Sequence, residues 1–464
     1  MTVSPIGGSM VVAFNPTLAS AVQDRTLQRT YLDALYPRLL YGADAAPELW
    51  QGNLGQTTTF TRTGLIRPST RPLLPGSDPS PRSYEIEQWE ATAAQYGNAI
   101  DTHMPTSAVS LASTYLRNMH VLGLNAGQSK NRLVRDKVFN AYLAGTTHVR
   151  TSTGPAASIT VRNLNGFTRK LLNGRPASVS ASNPLDIVIV IGGTPTAAQV
   201  TGFTPVTTGD ELGPGTLTLA AAVTVTAGDP VFASNRSQPI NAGGATTIDG
   251  IGLTDRLTLS DIRAAIAQLR ANNVPPHEDG KYHVQLDPIS ESQLFDDPEF
   301  RQAYQGVPDY VAFREFALGE LGGAVFYRNN ESPLISTVET DPAYGATFAM
   351  PTENTPLVGS AIEIHRVLIT GGGHVEEKYL DESKYISEAG VMGKIGEFAV
   401  VNNGMQVMAE RVRLILRAPT DRLQQQVGAA WSWSGDFSVP TDAKSATSLA
   451  VKSDYRRAVV IQHA

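Results

Sequence analysis

The chain of 464 residues contains no cysteine. Disulfides, thiolate metal sites and cysteine nucleophiles are therefore excluded. Hydrophobic runs are short as well: Ile187–Ile191 falls far below the roughly 20 apolar residues that a membrane helix needs. The first basic residue is Arg25, so the N-terminus lacks the charged region of a secretory signal. We therefore expect a soluble protein with no membrane partner.

Signatures of catalysis and nucleotide binding are also missing. The sequence has no H-E-x-x-H pair, no G-x-x-x-x-G-K-[ST] loop and no G-x-S-x-G elbow. Gly371–Gly373 lacks the lysine and the helix that a phosphate cradle needs. His277 stands beside two acidic residues, which we interpret as a polar turn between a helix and a strand. The sequence predicts no catalytic residue, no cofactor and no metal site, and hence no enzyme.

A strong charge of one sign is absent too. The formal net charge of -6 gives no basic footprint for tight nucleic-acid binding. Hydrophobic residues make up 41% of the chain, enough for packed cores, while 41 glycines and 29 prolines indicate many turns. A chain of this length exceeds a single core, so we expect two to four domains.

Residues Leu257–Pro288 carry the strongest local signals. Thr258 and Asp261 have the spacing of a helix start. Apolar residues then recur at i, i+4 and i+7 on one helix face, namely Ile262, Ile266 and Leu269. After two prolines, Val284 and Leu286 alternate with a polar residue, which is typical of a strand. The sequence thus predicts a helix, a turn and a buried strand.

A long polar hairpin is predicted near the N-terminus. Thr57–Ile66 is strand-like, a proline-rich tip follows, and alternation resumes at Tyr84. So few apolar residues cannot bury the hairpin, and we expect it to lie on a neighbouring subunit. Its charged residues are the predicted interface: Arg62, Arg67, Arg71, Arg82, Glu85 and Glu87. We expect the arginines to pair with carboxylates of the neighbour rather than with nucleic acid.

Further elements follow the same patterns. Leu27–Leu40 is predicted as a short helix and Leu111–Leu143 as one long helix. The long helix carries a basic stretch, which would contact scaffold or packaged DNA or be a solvated face: Lys130, Arg132, Arg135 and Lys137. Gly145–Leu253 reads as an all-β insertion of closely spaced strands, a small barrel or sandwich. Pro288–Gly322 is predicted helical, with Tyr310, Phe313, Phe316 and Leu321 as buried candidates. Strands are expected at 324–328 and 362–369.

The order of these segments resembles that of a known family. Six segments follow each other along the chain: YLDALYPRLLYGADAAPELWQGNLGQTTTFTRT, SYEIEQWEATAAQYGNAIDTHMP, the long helix, the Pro-Pro turn region, QQVGAAWSWSGDF and DYRRAVVIQHA. This layout is similar to that of tailed-bacteriophage major capsid proteins of the HK-ninety-seven fold, and most similar to the N-four-like podovirus branch. The residues between Gly145 and Leu253 have no counterpart in a minimal member.

The resemblance implies an α+β, HK-ninety-seven-type capsid fold with six parts. These are an N-terminal arm (1–52), an extended β-hairpin loop (53–100), a peripheral domain with a spine helix (101–148), a β-rich insertion domain (149–252), an axial domain (253–370) and C-terminal strands that complete the peripheral and axial domains (371–464). The implied function is that of a structural protein which assembles as pentamers and hexamers into an icosahedral head around double-stranded DNA. Assembly would take place in the host cytoplasm and end in the virion.

The partners implied by the resemblance are the chain itself, scaffolding, portal and decoration proteins, and packaged double-stranded DNA held by weak non-specific contact. Two alternatives stay open at this point. An encapsulin-like compartment shares the fold, and a protein cargo in place of a genome would distinguish it. A β-rich adhesin or polysaccharide-acting enzyme is the other, and activity on glycans would favour it.

Overall fold

The computed structural model describes residues 30–50 except 32 and 36–39, 55–109 except 64, 65, 67, 71, 74, 75, 77, 83 and 85, 114–305 except 173, 174, 210 and 235, 319–332, 340–341, 346–347, 364–380, 393–417 except 396, 397, 402, 403 and 410, 422–440 except 424, and 456–464. Within these ranges the chain is mixed α+β, with three larger sheets and a long helix. No helix in them is both long and apolar enough to cross a membrane.

The first unit packs the long helix Thr114–Tyr142 against an eight-stranded sheet, called here the large sheet. Its strands, in order across the sheet, are Ala46–Leu49, Glu376–Tyr379, Gln426–Ser438, Val412–Arg417, Gly404–Ala409, Phe398–Val401 and Gly393–Ile395, with Ala94–His103 also paired to Gln426–Ser438. A short helix, Met104–Val109, follows the strand Ala94–His103 and precedes the long helix in the chain. The long helix predicted from the sequence is confirmed.

The N-terminal segment is part of this first unit. Tyr31 and Leu35 are helical and fully buried against the long helix, as the predicted short helix requires. A Cβ on Gly123 would lie 2.5 Å from the carbonyl oxygen of Tyr31, so glycine is needed there for the close approach. The amides of Leu40 and Tyr41 both donate to Asn131 Oδ1. Residues 40–50 are thus docked on their own subunit.

The second unit is a six-stranded central sheet covered by the helix Leu259–Ala271. Its strands, in order, are Ile240–Asn241, Ala458–His463, His365–Thr370, Tyr282–Leu286, Ala324–Arg328 and Glu320–Leu321. Single 3₁₀ turns lie at Ala242–Gly244 and Ile248–Gly250. Two helices, Pro288–Asp296 and Pro298–Gln305, follow the strand Tyr282–Leu286 in the chain. The sheet is mixed, with both parallel and antiparallel neighbours.

Local signals set the helix Leu259–Ala271 as predicted. Thr258 Oγ1 accepts from the Asp261 amide, and an Asp261 carboxylate oxygen accepts from the Thr258 amide, which closes a capping box. The predicted face of Ile262, Ile266 and Leu269 is buried. The strand prediction for 282–286 is confirmed, and all five of its residues are buried.

One helix prediction in this unit is wrong at its end. Glu320–Leu321 forms a strand that pairs antiparallel with Ala324–Arg328, so Leu321, a predicted helical core residue, lies half-buried on a strand. Gly322 and Gly323 have φ of 63° and 86°, the conformation of a two-residue hairpin turn. The Gly-Gly pair was the available sequence signal. The other three buried candidates, Tyr310, Phe313 and Phe316, lie outside the described residues.

The third unit is a six-stranded sheet within the predicted insertion, called here the β module. Its strands, in order, are Thr146–His148, Pro230–Ala233, Leu185–Ile191, Thr194–Pro205, Gly215–Val225 and Thr153–Val161. The short hairpin Arg169–Leu172 with Arg175–Ser178 lies beside them, and a further small hairpin pairs Thr340–Asp341 with Ala346–Thr347 elsewhere in the chain. The buried cluster of the module draws its members from residues 149–233 alone. It is therefore a hydrophobic core separate from the other two.

We expect the β module to be removable without unfolding the rest of the chain. Thr146–His148 and Pro230–Ala233 are paired neighbours, with His148 opposite Pro230, so the chain enters and leaves the module at one point. Replacing residues 149–229 by a short Gly/Ser linker should leave a folded protein whose near-ultraviolet circular dichroism and cooperative melting persist. A replacement chain that cannot fold would show that the module belongs to the main core.

Candidate functional site: the extended hairpin and its surroundings

The predicted hairpin is present and in regular register. Thr57–Thr63 pairs antiparallel with Ile86–Thr92, and Phe60 lies opposite Trp89. These two rings stack with centroids 5.8 Å apart. Trp89 is 2% exposed, so one face of the hairpin base is covered by protein. The alternation of the sequence placed both aromatic residues on that face.

The base of the hairpin is fixed to its own subunit through Arg62. Arg62 Nη2 donates to Gly373 O at 2.7 Å and to Glu376 Oε1 at 3.2 Å. The guanidinium carbon lies 4.9 Å from the centre of the Trp89 ring. Burial raises the pKa of Glu376, and the charge and hydrogen bond of Arg62 oppose that rise. The arginine thus holds an otherwise costly carboxylate on the second strand of the large sheet.

Other contacts hold the base from both sides. Lys378 Nζ lies 5.4 Å from the centre of the Phe60 ring, and Arg175 of the β-module region donates to Gln88 at 3.0 Å. The Thr92 amide donates to a carboxylate oxygen of Asp436 at 2.9 Å. The expectation that the whole hairpin is unable to bury itself is therefore too broad. Its base packs within the chain because paired aromatic and charged groups cover it.

The tip of the hairpin differs from its base. Every described side chain between 66 and 84 is exposed. Large apolar side chains are among them or border them: Ile66 is 52% exposed, Leu73 60%, Tyr84 49% and Ile86 43%. A concentration of exposed apolar groups on one segment is typical of a surface that a partner covers.

The remaining predicted interface residues are placed only in part. Arg82 is exposed at the tip, and its Nη1 donates to Pro68 O at 3.5 Å. Glu87 lies opposite Arg62 in the strand register. Arg67, Arg71 and Glu85 lie outside the described residues. Pairing of these groups with a neighbouring subunit stays a prediction, whereas Arg62 has its carboxylate partner in its own chain.

Exchanging the charges of Arg62 and Glu376 tests this anchor. Both side chains are largely buried, with 15% and 20% exposed. Arg62→Glu alone would place two carboxylates together, and we expect it to lower both the melting temperature and the yield of assembled particles. The double variant Arg62→Glu/Glu376→Arg should recover much of the loss. The assignment of this ion pair as the anchor would be contradicted if the single variant lost neither melting temperature nor particle yield, or if the double variant recovered neither.

The basic stretch of the long helix is neutralised within the chain. Lys130 Nζ lies 2.6 Å from Glu377 Oε1, with both side chains buried. The other three cations of the stretch also face carboxylates: Arg132 pairs with Glu331, Arg135 with Asp136 and Lys137 with Asp436. The stretch is therefore a set of internal ion pairs, and the solvated face considered from sequence is retained only at Arg132 and Lys137, whose side chains are 52% and 48% exposed. Tertiary contacts supply three of these partners, so the sequence pattern could not show them.

A cluster of histidines and carboxylates lies where the N-terminal segment packs beside the central sheet. His283, on the central-sheet strand 282–286, places Nδ1 2.8 Å from Asp44 Oδ2 and Nε2 2.9 Å from Asp279 Oδ2. The ring of His277 stacks on that of His283 at 4.0 Å. One donor atom each from Asp44, His277 and His283 lie within 4.8 Å of one another. The polar turn predicted at 277 is confirmed as a turn, but its partners come from distant segments.

The titration of this cluster follows from its contacts. Burial alone would lower the pKa of His283, but the hydrogen bonds that its ring makes to the carboxylates of Asp44 and Asp279 outweigh burial and raise the pKa. Burial lowers the pKa of the stacked His277. His374, whose ring centre lies 5.7 Å from that of His277, is buried, and its pKa is lowered to about 3 by that burial. The cluster thus combines one imidazole whose pKa is raised with two whose pKa is lowered.

No protein-family model matches the chain, and no curated protein matches it. Among solved structures, the chain is similar to the capsid of Ralstonia phage GP4 with 12% identity and a TM-score of 0.45, over 91% of this chain and 88% of that one. It is also similar to the capsid of Cyanophage P-SCSP1u (11% identity, TM-score 0.45, 92% and 88% covered) and to that of Cyanophage Pam1 (10%, 0.45, 93% and 91%).

Proposed function

We propose that this chain is a structural major capsid protein that self-assembles into a closed shell. The observation that carries the proposal is the division of the hairpin into a base anchored by Arg62 and a tip with exposed apolar side chains. Every described side chain of the tip is exposed, so its own subunit does not cover it. Burying such side chains on a neighbour stabilises a contact by about 1.5–3 kcal/mol for a leucine that becomes fully covered.

The layout along the chain supports the same proposal. Hairpin, long helix, β module, central sheet and closing strands occur in the order that the resemblance to HK-ninety-seven-type capsid proteins implies. We propose the corresponding six-part division, with residues 1–52 as an arm and 149–252 as an insertion. The β module has a core of its own, which is consistent with a unit that shifts slightly against the rest of the subunit. Such shifts would let one subunit form both pentamers and hexamers.

The proposal extends to location and partners. The shell would assemble in the host cytoplasm, with scaffolding and portal proteins, and enclose double-stranded DNA in the virion. A net charge of -6 suits a lining that holds DNA weakly. The β module would project and bind a decoration protein or a host surface. No catalytic role is proposed for any residue.

Electron microscopy of the purified chain, expressed alone and with a scaffold, is the decisive experiment. We expect closed icosahedral particles in at least one of the two preparations, and sedimentation should show the same large species. Nucleic acid inside particles from infected cells would distinguish a capsid from a compartment that holds a protein cargo. A compact monomer under every assembly condition would refute the proposal.

We expect the shell to be held by non-covalent contacts alone. The first lysine of the chain is Lys130, well past the hairpin, and it is buried against Glu377. An isopeptide cross-link needs a nucleophilic amine, and an arginine guanidinium cannot supply it because it stays protonated. Disulfide cross-links are excluded because no cysteine is present. Particles boiled in detergent should therefore release one band near 49.6 kDa. A ladder of multimers would contradict this expectation.

A further inference from the structure

We propose that Asp44, His277 and His283 form a binding site for one first-row transition-metal ion of the Zn²⁺ type. The donor set is two imidazole nitrogens and one carboxylate oxygen, all within 4.8 Å of one another. Imidazole with carboxylate suits Zn²⁺ and its neighbours, whereas Mg²⁺ and Ca²⁺ prefer oxygen donors alone. Zinc in proteins is often bound by three protein ligands, with a fourth coordination position that another group occupies.

The donor atoms are close together, and ion binding requires two side-chain movements. His283 Nδ1 and Asp44 Oδ2 face each other at 2.8 Å. With bonds of about 2.0–2.1 Å, tetrahedral ligands stand about 3.3 Å apart, so this pair must open by roughly half an ångström. The rings of His277 and His283 are stacked with an interplanar angle of 11°, so their in-plane lone pairs do not converge, and His277, on the turn, must rotate for the ion to bind.

Outer contacts fix the ligand rings. The second nitrogen of His283 lies 2.9 Å from a carboxylate oxygen of Asp279, which is the carboxylate–histidine pairing that orients metal-bound imidazoles. His277 Nε2 lies 3.0 Å from Thr370 Oγ1, which leaves Nδ1 as the nitrogen for the ion. Both ligand histidines are therefore held by a second group through their other nitrogen.

His374 is a second, independent observation that points to a ligand. It is 1% exposed, and among the described atoms its Nδ1 has no hydrogen-bond partner. Its ring meets that of His277 edge-on, with centroids 5.7 Å apart. A buried imidazole nitrogen without a partner is costly unless it is satisfied, and an adjacent cation would satisfy it. His374 is not one of the three residues whose donor atoms lie within 4.8 Å of one another, so we assign it to the surroundings of the ion rather than to its ligands.

The site has a structural consequence. Asp44 belongs to the N-terminal segment that leads into the strand Ala46–Leu49 of the large sheet, whereas His277 and His283 belong to the central unit. An ion bound there would fasten these two units in one subunit. The inference does not depend on shell assembly, because every ligand comes from the same chain.

The test uses the full-length chain, stripped with a chelator and titrated with Zn²⁺ or Co²⁺. We expect one ion per chain, a visible d–d absorption with Co²⁺ and a higher melting temperature with Zn²⁺ but not with Mg²⁺. His277→Gln and Asp44→Asn should each weaken Zn²⁺ affinity by about tenfold or more, the size that loss of even an outer partner reaches. His120→Gln, at an exposed histidine of the long helix, is the matched control and should bind as the wild type does.

Two results would overturn the proposal. One is wild-type Zn²⁺ affinity equal to that of His277→Gln. The other is Co²⁺ binding without the d–d absorption of ordered nitrogen and oxygen ligands. His283→Gln is a weaker test because that side chain is buried between two carboxylates, so its loss could lower folding stability by itself. The variants at 44 and 277 decide the outcome, since melting without metal shows directly whether they are folded.

Discussion

Removal of the hairpin tip is expected to abolish particle assembly while the subunit stays folded. Thr63 lies opposite Ile86 in the last pair of the register, so residues 64–85 can be replaced by an Asn-Gly turn that closes the two strands directly. The anchored base, with Arg62 and the Phe60–Trp89 stack, is retained. Sedimentation and electron microscopy should show free subunits or small oligomers, and circular dichroism should show an unchanged fold.

A pair of single substitutions makes the test sharper. Leu73 at the tip is 60% exposed and Val206 in the β module is 68% exposed. Leu73→Glu should reduce particle yield strongly, because the charge would have to be buried at every copy of the contact. Val206→Glu introduces the same charge at an equally exposed apolar site outside the hairpin and should leave yield close to wild type. Normal yield from the tip deletion would show that the hairpin is not the assembly contact.

Glu377→Gln is expected to cause a large loss of stability. Glu377 is 1% exposed and pairs with both Lys130 and Arg411. The variant would leave the buried Lys130 ammonium without a counter-charge, beside the rings of Trp433 and Phe437. Loss of one partner of a buried ion pair costs about 3–5 kcal/mol. Denaturant unfolding of the unassembled subunit should show this loss in the transition of the large-sheet unit.

The matched control is an exposed pair. Arg169 and Glu211 are bonded at 3.3 Å, but their side chains are 57% and 41% exposed. Glu211→Gln should change the free energy of unfolding by about 0–1 kcal/mol, because water screens the pair. Lys130→Met combined with Glu377→Gln should destabilise less than the sum of the two single changes. A Glu377→Gln variant within experimental error of Glu211→Gln would contradict the buried-pair assignment.

Short-range patterns were sufficient for several elements. The helix Leu259–Ala271 could be predicted because its capping box and its apolar face lie within 13 residues. The hairpin could be predicted because alternation and a proline-rich tip are both local. The helix expected up to Gly322 was wrong at its end because the Gly-Gly turn there was not weighed against the apolar pattern.

The candidate sites depended on contacts that no local pattern contains. Arg62 was recognised as a charged hairpin residue, but its partner Glu376 lies 314 positions further along the chain. His277 was interpreted as part of a polar turn, since its acidic sequence neighbours explained it without a ligand. Asp44 reaches His283 across 239 positions, and only the packing of the N-terminal segment beside the central sheet brings the two together.

The sequence by itself determined which chemistry the chain cannot use and where its regular segments lie. Disulfides and cysteine nucleophiles are excluded by composition. Strand or helix character follows from apolar residues that repeat every two or 3.6 residues, a pattern that is complete within each short segment. Tertiary structure alone decided which charges are buried, which part of the hairpin is anchored and which histidines meet. Burial and pairing depend on segments hundreds of residues apart, and their free energies arise only when the sheets and the long helix have packed.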